Sequence, residues 1–228
     1  MMRSIIGTVA LVVVGTVALG AQVSNDETHR IKESAAVLSE IHGQPDKDIP
    51  QDLWEKAQCV IVIPSLKKAA FVVGGEYGKG LMSCRRNGAW SAPVFMQLAK
   101  GSWGLQIGAE SIDLVLLVMN NRGMDKMLQD KVSLGADASV AAGPVGRSAA
   151  AATDAQMNAE VISYSRAQGL FAGIDISGGV LKPDEDANRN LYGRDRSARA
   201  VLTDGTKAPA ATQAFITALR RQYALSTR

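Results

Sequence analysis

At 228 residues, 46% apolar and 21% charged, the chain has the composition of a folded protein with room for one sizeable domain, which excludes a disordered or low-complexity chain. A formal net charge of +3, a pI near 8.9 and only 5% aromatic residues are too mild to mark a nucleic-acid binder, which gathers basic residues on one face beside groove-reading or stacking elements. The same mild balance is compatible with an anionic membrane surface.

In chain order, Arg3 precedes an uncharged, mostly apolar run from Ile5 to Leu19, and Ala18 and Gly20 put small residues where a signal peptidase cuts. Residues 1–20 are therefore expected to be a secretory signal peptide, and 21–228 a single domain that is periplasmic or secreted. The run falls short of the roughly 20 apolar residues of a spanning helix. No cysteine stands directly after it to become a lipid-bearing N-terminus.

Ser24 to His42 predicts an amphipathic helix, with Ile31, Ala35 and Leu38 recurring at spacings of three and four, Ser24 or Asn25 as cap and Gly43 as stop. Its apolar face suits packing on a sheet better than insertion in a membrane. A short helix is expected at Pro50 to Gln58, with Leu53 and Trp54 inward.

From Cys59 to Gly143 the pattern is sheet. CVIVI (59–63), AFVV (70–73), GLMSC (80–84), PVFMQL (93–98), WGLQI (103–107) and IDLVLLVM (112–119) have strand length and β-branched content. Between them PSLKK, GGEYGKG, RRNGAW, AKGS and GAES read as turns, and Asn87-Gly88 is the strongest hairpin signal because both residues tolerate positive φ. Further on, Arg122 to Asp130 predicts a short helix, Ser133 to Arg147 a strand with close backbone approach, and Ser148 to Thr153 a helical turn or loose connection. Ala159 to Arg166 and Leu170 to Ile176 read as a hairpin around Gln168, with a turn at Ser177-Gly178-Gly179. Asp184 to Tyr192 and Ala210 to Ala224 are the last helices expected. The fold class is thus α+β: a twisted, mainly antiparallel sheet able to curl toward a barrel, flanked by N- and C-terminal helices.

Chemistry is sparse. GGEYGKG lacks the glycine order and following helix of a phosphate loop, and no nucleophile elbow, zinc-protease helix or C-x-x-C occurs. Two His and two Cys do not form a zinc set by spacing, and Asp175 to Asp186 has Val180 where a calcium loop needs glycine. The sequence reads as a binding protein, not an enzyme, without metal or cofactor. Cys59 and Cys84, each in a predicted strand, are either a disulfide formed after export or two buried thiols.

Basic residues cluster in the predicted turns: Lys67, Lys68, Lys79, Arg85, Arg86 and Lys100. If 59–63, 70–73 and 80–84 run up, down and up, then Lys67, Lys68, Arg85 and Arg86 share one rim and would attract phosphate head groups. The bland alternative is that they are solvated residues guarding strand edges.

The ordered blocks AQCVIVIPSLKKAAFVVGGEYGKGLMSCR, WSAPVFMQL, GSWGLQIGAESIDLVLLVMN, LGADASVAAGPVGR, SYSRAQGLFAGIDISGG and DANRNLYG, spanning about Ala57 to Gly193, strongly resemble the SYLF domain in its exported bacterial form. The resemblance implies a lipid-binding module with no catalytic set; eukaryotic members bind phosphoinositides and, in yeast, bundle actin. In a bacterial envelope the corresponding partner would be an anionic phospholipid or membrane surface. Alternatives are an envelope structural or stress protein that binds other proteins, and a hydrolase whose site is not advertised.

Overall fold

The apolar runs of residues 59–118 alternate between two faces that are both buried, and the architecture follows from that. A computed structural model describes residues 23–41, 49–70, 73–103, 108–145, 158–167 and 170–226. The expected signal peptide, His42, most of WGLQI, Ser148 to Thr153 and the Gln168-Gly169 turn lie outside the described residues.

Helices α1 (Asn25–Ser39) and α2 (Gln51–Lys56) lead into β1 (Cys59–Ala70), β2 (Val73–Arg86), β3 (Ala89–Trp90), β4 (Val94–Trp103) and β5 (Gly108–Val118). Then come α3 (Asn121–Met127), β6 (Val132–Ser133), β7 (Val140–Ala142), β8 (Val161–Ala167), β9 (Leu170–Gly173) and β10 (Val180–Pro183). Helices α4 (Glu185–Tyr192), α5 (Ala198–Thr203) and, after a 3₁₀ turn, α6 (Gln213–Ser226) complete the described chain. The strands make one strongly curled sheet of order β6-β10-β4-β2-β1-β5-β8-β7, with β3 on β2 and β9 on β8. Its strand pairs are antiparallel except β7 with β8. The α+β class expected from the sequence is the one observed.

On one face Val60, Val62, Leu81, Phe95, Val115 and Leu117 pack under Ile31 and Leu38 of α1, Trp54 of α2 and Phe215 and Leu219 of α6. On the other, Ile61, Met82, Val94, Leu116 and Val118 pack with Met127, Leu128, Val201 and Leu202. A strand buried on both faces must be apolar at successive positions, which is why CVIVI and LVLLV show no polar alternation. Helix α1 begins with a capping box in which Ser24 Oγ accepts from the Glu27 N–H at 3.1 Å and Glu27 Oε2 accepts from the Ser24 N–H at 2.8 Å. Its apolar face is consumed by this packing: Ile31, Val37, Leu38 and Ile41 are each no more than 1% exposed.

Several expected turns prove to be strand. PSLKK lies inside β1 as a bulge, where the register slips between Val62 and Lys67 against β2 and between Ile63 and Leu66 against β5. Ser65 takes φ 50°, and its N–H donates to Asp113 Oδ1 at 2.9 Å instead of to the ladder. GGEYGKG is interior to β2, not a hairpin: a Cβ on Gly80 would stand 1.8 Å from the Val62 carbonyl oxygen and one on Gly78 2.5 Å from Ile63 Cγ2. Those glycines serve close passage beneath the bulge. AKGS and GAES likewise continue β4 and β5. Asn87-Gly88 is a tight turn with φ 49° and 79°, joining β2 to β3. The segment read as one strand from Ser133 divides into β6 and β7 around a turn, and its close approach is real, since a Cβ on Gly143 would meet the Tyr164 ring at 2.0 Å. Strand β10 and helix α5 have no counterpart in the sequence reading.

Candidate anion-binding cleft

The long β1 places the basic residues differently from the meander expected. Cys59 pairs with Cys84 and Lys67 with Tyr77, so Lys67 and Lys68 stand eight positions along β1 from the Arg85 and Arg86 end, roughly 25 Å at the ordinary strand rise. The four do not share a rim. The reason is the bulge, which carries β1 through the turn-like PSLKK instead of reversing it.

Most of the six are also engaged. Lys68 lies opposite both Glu76 and Glu110, and Lys100 lies opposite Glu76, giving a ladder of alternating charge across β5, β1, β2 and β4. Lys100 Nζ further donates to the Asp175 carbonyl at 3.3 Å. Lys79 Nζ is 2.9 Å from Asp184 Oδ2, which also accepts from Arg30 Nη1 at 2.8 Å. Burial alone would raise the Asp184 carboxyl, but hydrogen bonds from Lys79 and Arg30 outweigh it and hold the group below the usual carboxylate range; the Asp184 hydrogen bond raises Lys79 in turn. Asp184 is therefore a structural counter-ion. Arg85 donates to the Glu55 carbonyl at 2.7 Å and lies 4.5 Å from the Tyr223 ring centroid. Lys67 is exposed opposite Ser111 and Tyr77.

Cys59 and Cys84, directly opposed across β1 and β2 with Cα atoms 4.0 Å apart, are joined as a disulfide. They sit at the end that carries the Asn87-Gly88 hairpin. Other buried charges are fixed as firmly. Lys126 Nζ lies 2.7 Å from both oxygens of Glu160, which also accepts from the Ser139 N–H at 2.9 Å; despite desolvation these contacts keep its carboxyl low. Arg166 spans Asp113, at 2.6 Å from Nη2, and Glu40, tying α1 to β5 and β8. Among the described residues no group of three His, Cys, Asp or Glu is arranged for a metal, and no helix is long and apolar enough to cross a membrane.

Arg86 leads to a different place. It is exposed and donates through Nη1 to the Thr203 carbonyl at the end of α5, so the β2-β3 hairpin, α5 and α6 enclose a cleft of about 480 Å³. Trp90, Leu202 and Ile216 give it an apolar wall, Arg86 and Arg220 stand on its lining, and among the described residues no Asp or Glu does. Trp90 is 8% exposed, and its indole N–H is buried without a hydrogen-bond partner among the described residues. The volume falls in the range of small-molecule sites, and an apolar body with two cations suits an anionic amphiphile.

The surroundings extend this polarity. Residues 193–228 hold seven Lys or Arg against Asp195 and Asp204, a net +5 in a chain whose total is +3, so residues 1–192 carry −2. Arg194, Arg196, Arg199, Lys207, Arg220 and Arg221 are all exposed. Arg196 donates to Thr206 Oγ1 at 3.2 Å, which brings it beside the cleft. Of the basic residues singled out in the sequence, Arg86 is the one that lines this cleft. The signal that would have found the rest is the charge asymmetry of the last 36 residues, legible once charge is counted by segment.

The family described as Ysc84, "Las17-binding protein actin regulator", matches residues 99–222. LAS seventeen-binding protein 3 of Saccharomyces cerevisiae is 35% identical over 171 residues, which are 73% of this chain and 37% of that protein. Protein YSC84 of the same yeast is 32% identical over 187 residues, 80% of this chain and 40% of that one. SH3 domain-containing YSC84-like protein 1 of Homo sapiens is 32% identical over 186 residues, 78% and 54% of the respective chains. The chain thus spans from about a third to about half the length of these curated relatives. With this match following on the ordered motifs and the curled sheet that they build, the chain belongs to the Ysc84 family of SYLF-domain proteins.

Proposed function

We propose that this protein is an exported lipid-binding protein that docks on an anionic membrane of the cell envelope through its C-terminal basic face. One observation carries the reading: a net +5 over residues 193–228, with exposed Arg86, Arg196 and Arg220 at the cleft, in a chain whose remaining residues sum to −2. Each such Lys or Arg near an anionic surface contributes on the order of 1 kcal/mol, so several acting together hold a protein on a membrane. The disulfide supports export, since such bonds persist in oxidising compartments. Helix α1 plays no inserting part in this reading, because its apolar residues are buried against the sheet and α6. A role in binding instead of catalysis is supported by the fixed ion pairs that occupy Asp184, Glu160 and Arg166.

The test is co-sedimentation of the exported chain with vesicles. Binding to phosphatidylglycerol vesicles but not phosphatidylcholine vesicles is expected, falling as salt rises from about 0.1 M to about 1 M and the Debye length shrinks from roughly 10 Å to roughly 3 Å. Equal sedimentation with both vesicle types, or with neither, would reject the reading. The second case would favour a protein-binding role in the envelope, in keeping with the actin-regulator and Las17-binding descriptions of its relatives.

A further inference from the structure

We propose that the cleft between the β2-β3 hairpin, α5 and α6 is a site for one phosphate ester bearing an apolar group, held by its phosphate between Arg86 and Arg220 and by its apolar part against Trp90 and Ile216. The inference rests on the membrane reading and names the chemical unit recognised.

Three independent features of the cleft converge. Its charge is one-sided: among the described residues the lining carries two guanidinium groups and no carboxylate. Arg86 is anchored through a single N–H to the Thr203 carbonyl, which fixes the guanidinium at the cleft while leaving donors of its fork for an anion. Trp90 brings an apolar ring to the wall of the cleft.

The rigidity of the site comes from the sheet behind it. Arg85 pairs with Trp90 and Arg86 with Ala89 across the hairpin. Ser91 Oγ accepts from the Cys84 N–H at 3.1 Å, so the strand bearing the disulfide also holds the strand bearing Trp90. The opposite wall, Ile216 and Arg220, lies one turn apart on α6, a helix held by Phe215 and Leu219 in the core. A preorganised pair of cations with an adjacent apolar wall discriminates an amphiphilic phosphate from free phosphate, because the second part of the ligand adds affinity only where both parts are present.

The experiment titrates the full exported chain, disulfide intact, with dihexanoyl phosphatidylglycerol below its micellar concentration, with glycerol phosphate and with inorganic phosphate. The readout is the Trp90 indole N–H resonance, assigned by its loss in Trp90→Phe. A saturable shift with the short-chain lipid is expected, at least tenfold tighter than with either small phosphate. Arg220→Gln, a change at an exposed helix position that leaves the fold intact, should weaken it at least tenfold, and Lys67→Gln should leave it unchanged. The absence of a saturable shift, full affinity in an Arg86→Gln/Arg220→Gln double variant, or equal affinity for glycerol phosphate would overturn the assignment. Vesicle binding without saturable short-chain lipid binding would reject the cleft and keep the membrane reading; the converse would reject the membrane reading and keep the cleft.

Discussion

On the sheet, Lys68, Lys79, Lys100 and Arg85 each face a carboxylate, a carbonyl or a ring placed there by strand register or by a packed helix. On the C-terminal segment, Arg194, Arg199, Lys207, Arg220 and Arg221 stand exposed in a stretch with only two acids. The two regions contain similar residues and put them to different uses. A cation built into a ladder is a structural partner whose charge is already answered locally. A cation exposed on a segment with an excess of base keeps more of its field for something outside the protein.

The largest effect expected tests that difference directly. Replacing Arg86, Arg196, Lys207 and Arg220 together with Gln should weaken binding to phosphatidylglycerol vesicles about a thousandfold, at on the order of 1 kcal/mol per cation. Lys67→Gln/Lys68→Gln, roughly 25 Å away along the sheet and beyond a Debye length of about 10 Å, should leave it within about twofold. Equal losses in the two variants, measured by sedimentation, would erase the contrast.

Next come changes to the sheet itself. Removing the disulfide by Cys59→Ala/Cys84→Ala frees a loop with a sequence separation of 25 and should lower stability to urea by about 3.5 kcal/mol, with little change in vesicle affinity. Asp184→Asn should cost about 3 kcal/mol, because it strips Arg30 and the partly exposed Lys79 of their shared counter-ion. This group also sets a pH dependence. Its folded pKa lies below its unfolded value, so its stabilisation is complete above the unfolded pKa of about 3.9 and is lost as pH falls through the folded value. Acid titration of stability should therefore be flatter below about pH 4 in the Asn variant than in the parent. The smallest effect belongs to the ladder: Lys68→Gln should cost roughly 0.5 kcal/mol, the scale of one cross-strand charge pair.

Much of this was written locally. The apolar runs, the Asn87-Gly88 turn and the helix cap at Ser24 all reflect rules that act over a few residues. The antiparallel pairing of Cys59 with Cys84 does not: an up, down and up course of 59–63, 70–73 and 80–84 would have set another strand between them. The misread segments share a cause. Pro64-Ser65 and the glycines of GGEYGKG look like turn chemistry because the same residues serve turns and bulges, and nothing within five residues of Gly80 says that Val62 will pass within contact distance of it. Reading PSLKK as a reversal then placed Lys67, Lys68, Arg85 and Arg86 on one rim. Strand β10 escaped notice because four residues ending in proline carry little pattern, and its place beside β4 depends on contacts about 80 positions distant.

The sequence by itself determined that this chain builds a doubly buried, mainly antiparallel sheet with terminal helices, since hydrophobic burial and backbone sterics are properties of short stretches. It also carried the charge asymmetry of residues 193–228, which needs only counting. Tertiary structure alone decided which cations are answered and which are free to act, and that Arg86, Trp90 and Arg220, separated by up to 134 positions, line one cleft. The physical reason is range: propensity and periodicity act between neighbours along the chain, whereas a counter-ion or a binding wall is supplied by whichever distant element the packing brings alongside.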